Sequence, residues 1–128
     1  MWPFASFLRE DATLAFGTDS PVVDVNPWSG IYTAVTRQDA KTHEPKGGWL
    51  ASERISAADA IRAYTAGAAA SAGRENEIGK LAAGMWADIA AFDRNPLVDA
   101  EQCPELMLET HAIATFLAGR PVFDSRKA

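Results

Sequence analysis

LAFGTDSPV, residues 14–22, is the stretch on which the reading of this chain turns. Leu14, Ala15 and Phe16 form a short apolar run of the kind that makes a buried strand, and Gly17 and Pro21 punctuate its end. Asp19 lies between them. A carboxylate where a buried strand opens into a loop is well placed to act as a catalytic base or metal ligand, because the sheet fixes it at a mouth that substrate can reach. The same residue can serve only as a turn former, since an Asp side chain bonds its own backbone two residues on. The stretch alone leaves both readings open.

Working outward, Trp2, Phe4, Phe7 and Leu8 are spaced for one face of a short helix that closes at Asp11. A bulky aromatic at the second position, with no polar lead-in, reads as a start inside a longer chain. Beyond Pro21, Asn26 and Pro27 supply a cap and a first helical residue, and Trp28, Ile31, Tyr32 and Val35 then mark a core-facing stripe that ends near Arg37. Residues 38–54 show no period, and a loop of that length is either a lid or substrate loop or a solvated excursion. Within it Trp49 either lines a pocket or pins the loop to the core. A capping-box start at Ser56 and Asp59 opens the next helix, with Ala57, Ala60, Ile61, Tyr64 and Ala68 on one face and Gly73 as its stop.

From Ile78 the pattern changes to that of strands. It predicts a short strand at 80–81, a turn at 82–84, a strand over 87–92, a polar connection to about Glu105, and a hairpin of strands 109–117 and 120–123 about a turn at 118–119. Helices and one buried strand come first and a small antiparallel unit last. The expectation is an α/β chain in two modules, residues 1–76 and 77–128.

Composition narrows the function. The chain has 128 residues, a net charge of −5, 48% hydrophobic residues and one cysteine, Cys103. The acidic balance argues against nucleic acid, whose phosphates call for clustered Lys and Arg. No apolar run reaches the roughly 18 to 20 residues of a membrane helix, so the expected setting is cytoplasmic and without a membrane partner. A single cysteine rules out an internal disulfide or a multi-cysteine zinc site.

Five blocks in order, GTDSP, NPWSGIYTAVTR, ERISAADAIRAYTAGAA, IGKLAAGMWADIAAFDRNPL and ATFLAGRPVF, closely resemble the C-terminal part of the amidohydrolase 3 family. These are metal-dependent hydrolases that include enzymes like N-substituted formamide deformylase. The resemblance spans almost the whole chain. It implies the last strand and helices of a (β/α)8 barrel in residues 1–76 and part of a small antiparallel β-sandwich in residues 77–128. Residues 14–17 would be the eighth barrel strand. It also implies that Asp19 is the acidic residue that binds the catalytic divalent metal, zinc by expectation, and handles the proton of the attacking water. Thr18 and Ser20 would flank that carboxylate, and Arg37 would border the active-site mouth as a substrate-binding residue.

The sequence departs from the family in ways that matter. The H-x-H pair of the first barrel strand has no counterpart, since the two histidines, His43 and His111, stand alone and read as structural. Met85 and Trp86 replace the usual Lys and small residue, and Trp86 and Asp88 read as packing residues. A catalytic zinc takes three protein ligands and a barrel at least about 200 residues. The expected function is therefore the C-terminal portion of an amidohydrolase that cleaves a non-peptide C–N bond of a small amide or formamide, inactive alone. Its expected partner is the missing N-terminal half or further copies of itself. The alternative is a non-catalytic, self-associating or partner-binding module derived from such an enzyme.

Overall fold

The computed structural model describes residues 2–127. Helix α1 (Phe4–Arg9) comes first, and α2 (Trp28–Thr36) is the element about which the core is built. The Asn26 side chain accepts the Trp28 N–H at 3.0 Å, so the Asn-Pro pair does cap the helix, which begins at Trp28. Its last turn ends where Arg37 takes a left-handed φ of 61° while donating its N–H to Thr33. Of the stripe, Trp28, Ile31 and Tyr32 are buried and Val35 is partly so, and Ala34, Ile55, Ala57, Ala60 and Met107 complete the cluster. Among the described residues Tyr32 and Met107 are the two large side chains with no exposure at all.

Helix α3 (Ala57–Arg62) starts at Ser56, whose hydroxyl accepts the Asp59 N–H and donates to the Asp59 carboxylate. It runs through a π-helical turn (Ala63–Gly67) into α4 (Ala68–Ser71), and Gly73 follows with φ 68°. The π turn is where residues 14–16 cross. The Phe16 N–H donates to the Ala63 carbonyl at 3.0 Å, and a Cβ on Gly67 would overlap the Leu14 carbonyl oxygen. These residues are not a strand, contrary to the apolar-run expectation. A strand needs a neighbouring backbone to form a ladder, and the neighbour here is a helix.

The sheet has β1 (Ile89–Phe92), β2 (Ala112–Leu117) and β3 (Arg120–Asp124), antiparallel in that order. Ile89 faces Phe116, Ala91 faces Ala114, and Leu117 faces Arg120 across the hairpin. The turn at 118–119 forms as expected, with φ of 49° at Ala118 and 77° at Gly119. Asp88, expected as a packing residue, instead accepts the Ala118 N–H at 2.7 Å and so ties β1 to the hairpin turn.

Other strand expectations fail. Residues 80–81 are outside any strand, the strand expected over 87–92 begins at Ile89, and that expected at 109 begins at Ala112. The connection expected to be merely polar carries α5 (Pro96–Gln102) and a 3₁₀ turn (Pro104–Glu109). Asn95 accepts the Leu97 N–H and Pro96 occupies the first helical position. The 3₁₀ turn drives Met107 into the cluster around Tyr32, which explains why residues 109–111 are not yet strand. Trp28 meets Phe92 edge to face at 5.1 Å, linking α2 to the sheet.

Candidate functional site

An open groove of about 790 Å³ lies between α1, residues 14–18, α2 and the loop after α2. Its walls are aromatic. Phe4 and Phe16 stand 4.8 Å apart, and Phe16 meets Tyr64 edge to face at 5.5 Å. Gly30 leaves room on α2 for the Tyr64 hydroxyl, which burial pushes to a raised pKa, so that it remains a neutral phenol.

Arg37 also lines the groove. It is only 6% exposed. Its Nε donates to the Trp49 carbonyl at 3.2 Å and its Nη1 to the Trp2 carbonyl at 3.1 Å. The guanidinium lies over the Phe4 ring at 5.4 Å and the Trp49 ring at 5.7 Å. No carboxylate pairs with it among the described residues. A buried cation is tolerated here because two carbonyl dipoles and two π faces replace water. Trp49 thus both lines the groove and holds the loop, its N–H donating to the Arg37 carbonyl at 2.8 Å.

Asp19 sits at the lip. It is exposed, has a left-handed φ of 51°, and its carbonyl accepts the Val22 N–H at 2.8 Å. Thr18 lines the groove, while Asp19 and Ser20 are not among its walls. The two histidines are far apart in role. His43 contacts the Tyr32 hydroxyl. His111 is exposed, donates its N–H to Asp93 Oδ1 at 2.9 Å and, with its neighbour Arg94, holds the Asp93 carboxyl below its ordinary range.

No three His, Cys, Asp or Glu side chains gather to hold a metal among the described residues. A catalytic centre with three protein ligands is thus not complete in this donor set, and Asp19 alone does not fit one. Nor is any described helix long and apolar enough to cross a membrane.

Sequence reasoning missed Phe4, Phe16 and Tyr64 as groove walls. Phe4 and Tyr64 stand on apolar helix faces and Phe16 in an apolar run, and neither pattern says whether the surface opposite is filled. It also placed Arg37 at a helix end without the Trp2 carbonyl, which lies 35 residues away in sequence.

The match to the amidohydrolase family extends over residues 2–123. The Arabidopsis thaliana protein LONG AFTER FAR-RED 3 is 34% identical over 120 residues, which is 94% of this chain and 19% of that protein. The N-substituted formamide deformylase of Arthrobacter pascens is 29% identical over 99 residues, 76% of this chain and 17% of the enzyme. The chain therefore spans less than a fifth of the length of either relative. In three dimensions it is similar to the crystal structure of an amidohydrolase from Thermotoga maritima MSB8, with a TM-score of 0.66, 18% identity, and coverage of 94% of this chain and 25% of that one. Amidohydrolases generally use divalent metals. With nearly every described residue inside the family match, this chain belongs to the amidohydrolase family.

Proposed function

We propose that this chain is the C-terminal portion of a metal-dependent amidohydrolase that cleaves a non-peptide C–N bond of a small amide or formamide. The observation that carries the reading is the similarity to the formamide deformylase across three quarters of the chain, at under a fifth of that enzyme's length. In this reading Asp19 is the carboxylate the chain contributes to the active site and to its divalent metal, zinc by preference, and the remaining ligands come from sequence outside the chain. Arg37 gives the groove a fixed positive charge toward the polar end of a substrate, and Phe4, Phe16 and Tyr64 receive its apolar part. Residues 1–76 are the end of the barrel and residues 77–128 the portion of the sandwich. The protein works in the cytoplasm, with neither a nucleic acid nor a membrane as partner.

The test compares two proteins. The 128-residue chain, given N-formyl and aryl-amide substrates with added zinc, should show no turnover above buffer. The longer enzyme carrying the same residues should hydrolyse such a substrate and lose on the order of 10²- to 10⁴-fold in kcat/KM with Asp19→Asn, the range for a positioned acid-base group. Chelator-sensitive turnover by the short chain, or full activity of the Asp19→Asn enzyme, would overturn the reading.

A second reading, a self-associating module without catalysis, rests on the exposed Trp2, Trp49, Val22, Leu117 and Val122 side chains, which further copies of the chain would cover. Sedimentation of the 128-residue chain as a monomer at high concentration would set it aside.

A further inference from the structure

A polar cluster beside the groove joins α2 to the loop that follows it. Tyr32, fully buried, has its hydroxyl 2.8 Å from His43 Nδ1 and 3.1 Å from Gln38 Oε1, with the Tyr32 and His43 rings nearly perpendicular at 5.5 Å. Two proton arrangements fit the Tyr–His contact: the hydroxyl donates to a bare Nδ1, or it accepts from Nδ1–H.

Gln38 decides between them. Its Nε2 donates to the backbone carbonyls of His43 at 2.9 Å and Pro45 at 3.3 Å. A flipped amide would set Oε1 against those two carbonyl oxygens, and acceptors do not bond acceptors. Oε1 therefore faces Tyr32 and takes the phenol's only proton. The phenol oxygen is left to accept from His43, so the proton of the neutral imidazole is on Nδ1.

From this chain of donors we infer that His43 is a positioning residue, whose Nδ1–H on the Tyr32 hydroxyl latches the loop of residues 38–49 to α2 and so seats Trp49 over Arg37. The rest of the loop is held by Gln38, by Arg37 on the Trp49 carbonyl, by Arg54, whose Nη2 donates to the Gly47 carbonyl at 2.6 Å, and by its own backbone. The Asp39 N–H donates to Glu44 at 2.8 Å, the His43 N–H to Asp39 at 2.9 Å, and the Gly48 N–H to Pro45 at 2.8 Å. The His43 backbone takes a left-handed φ of 56° to turn its ring inward. At the far end of the loop the Trp49 N–H reaches the Arg37 carbonyl. The latch thus fixes one wall of the groove from the opposite side of the helix, and it holds whether or not the chain takes part in hydrolysis.

The test uses the 128-residue chain with His111→Gln, which leaves His43 as its one histidine, labelled with nitrogen-15 and studied at a pH where the imidazole is neutral. Two-bond nitrogen–proton correlations should show the Nδ1–H tautomer, whereas a free neutral imidazole favours Nε2–H. Gln38→Leu removes the acceptor that fixes the phenol proton and should convert His43 to Nε2–H, with Tyr32 now donating. Tyr32→Phe should release the latch, returning the ring to the free tautomer mixture and raising the exchange rate of the Trp49 amide at least tenfold. An Nε2–H signature in the parent, a tautomer unmoved by Gln38→Leu, or unchanged Trp49 exchange in Tyr32→Phe would overturn the inference.

Discussion

Around Tyr32 the inward side of α2 meets Ile55, Ala60 and Met107 in a buried cluster, whereas around Phe16 an aromatic set lines an open groove. Both regions draw on the same helix: Trp28, Ile31 and Tyr32 turn to the closed side, Gly30, Thr33 and Arg37 to the open one. The difference is in what lies opposite. The 3₁₀ turn at Pro104–Glu109 folds back over Tyr32 and closes it, while nothing among the described residues folds back over the groove, whose walls carry apolar and cationic groups. Apolar residues at helical spacing therefore mark a face that must be covered, and the geometry says which faces this chain covers itself.

Emptying the closed side should have the largest effect. Met107→Ala should cost about 2 to 5 kcal/mol, the range for a fully buried Met, measured by denaturant unfolding of the 128-residue chain; a cost below 1 kcal/mol would mean that the Tyr32 cluster is not the core. Gly67→Ala comes next. Its new Cβ would overlap the Leu14 carbonyl, so residues 14–16 must shift at a cost of about 1 to 3 kcal/mol, visible also as faster exchange of the Phe16 amide. On the open side, half-buried Phe16 gives less: Phe16→Ala should cost about 1 kcal/mol from the apolar area it still covers. A loss equal to that of Met107→Ala would show the groove to be as closed as the core.

The smallest effect concerns pH. Glu53 accepts hydrogen bonds from the Ser6 hydroxyl at 2.6 Å and the Ser6 N–H at 2.9 Å, which hold its carboxyl below its ordinary value of 4.5. A carboxyl lowered by folding adds stability above its unfolded pKa and loses it as pH falls through the folded one. The contribution is thus complete above about 4.5 and fades below it. In a Ser6→Ala variant the melting temperature should fall less steeply between pH 5 and pH 3, values chosen to bracket that window; parallel curves would remove Glu53 from the account.

Local chemistry was legible wherever a residue acts on its near neighbours. Ser56 capping α3, Arg37 closing α2, and the turn at Ala118 and Gly119 all follow from side chains within four residues. The same grammar stands at Asn95 and Pro96, but the seven residues of α5 are too short to show a helical period, so the stretch reads only as a polar connection. Residues 14–16 had the composition of a strand, but a strand is defined by its neighbour, and here that neighbour is the π turn at Ala63. The groove was the least legible part. Its residues come from α1, residues 14–18, α2, the loop and the π turn, and no spacing within one of these reveals the others. Asp19 stands out in the sequence as a carboxylate just past an apolar run, and the resemblance alone assigns it to a metal. The turn that presents it at the groove's lip agrees with the turn-forming sequence around it and leaves its chemistry to the activity test.

Whether this chain is one part of a larger hydrolase, as proposed, is decided by the mass of the native protein. An antibody raised against residues of the 128-residue chain should detect, in an extract of its source, a band several times heavier than 13.7 kDa. A band at 13.7 kDa alone would contradict the claim and turn attention from a substrate to whatever covers the groove.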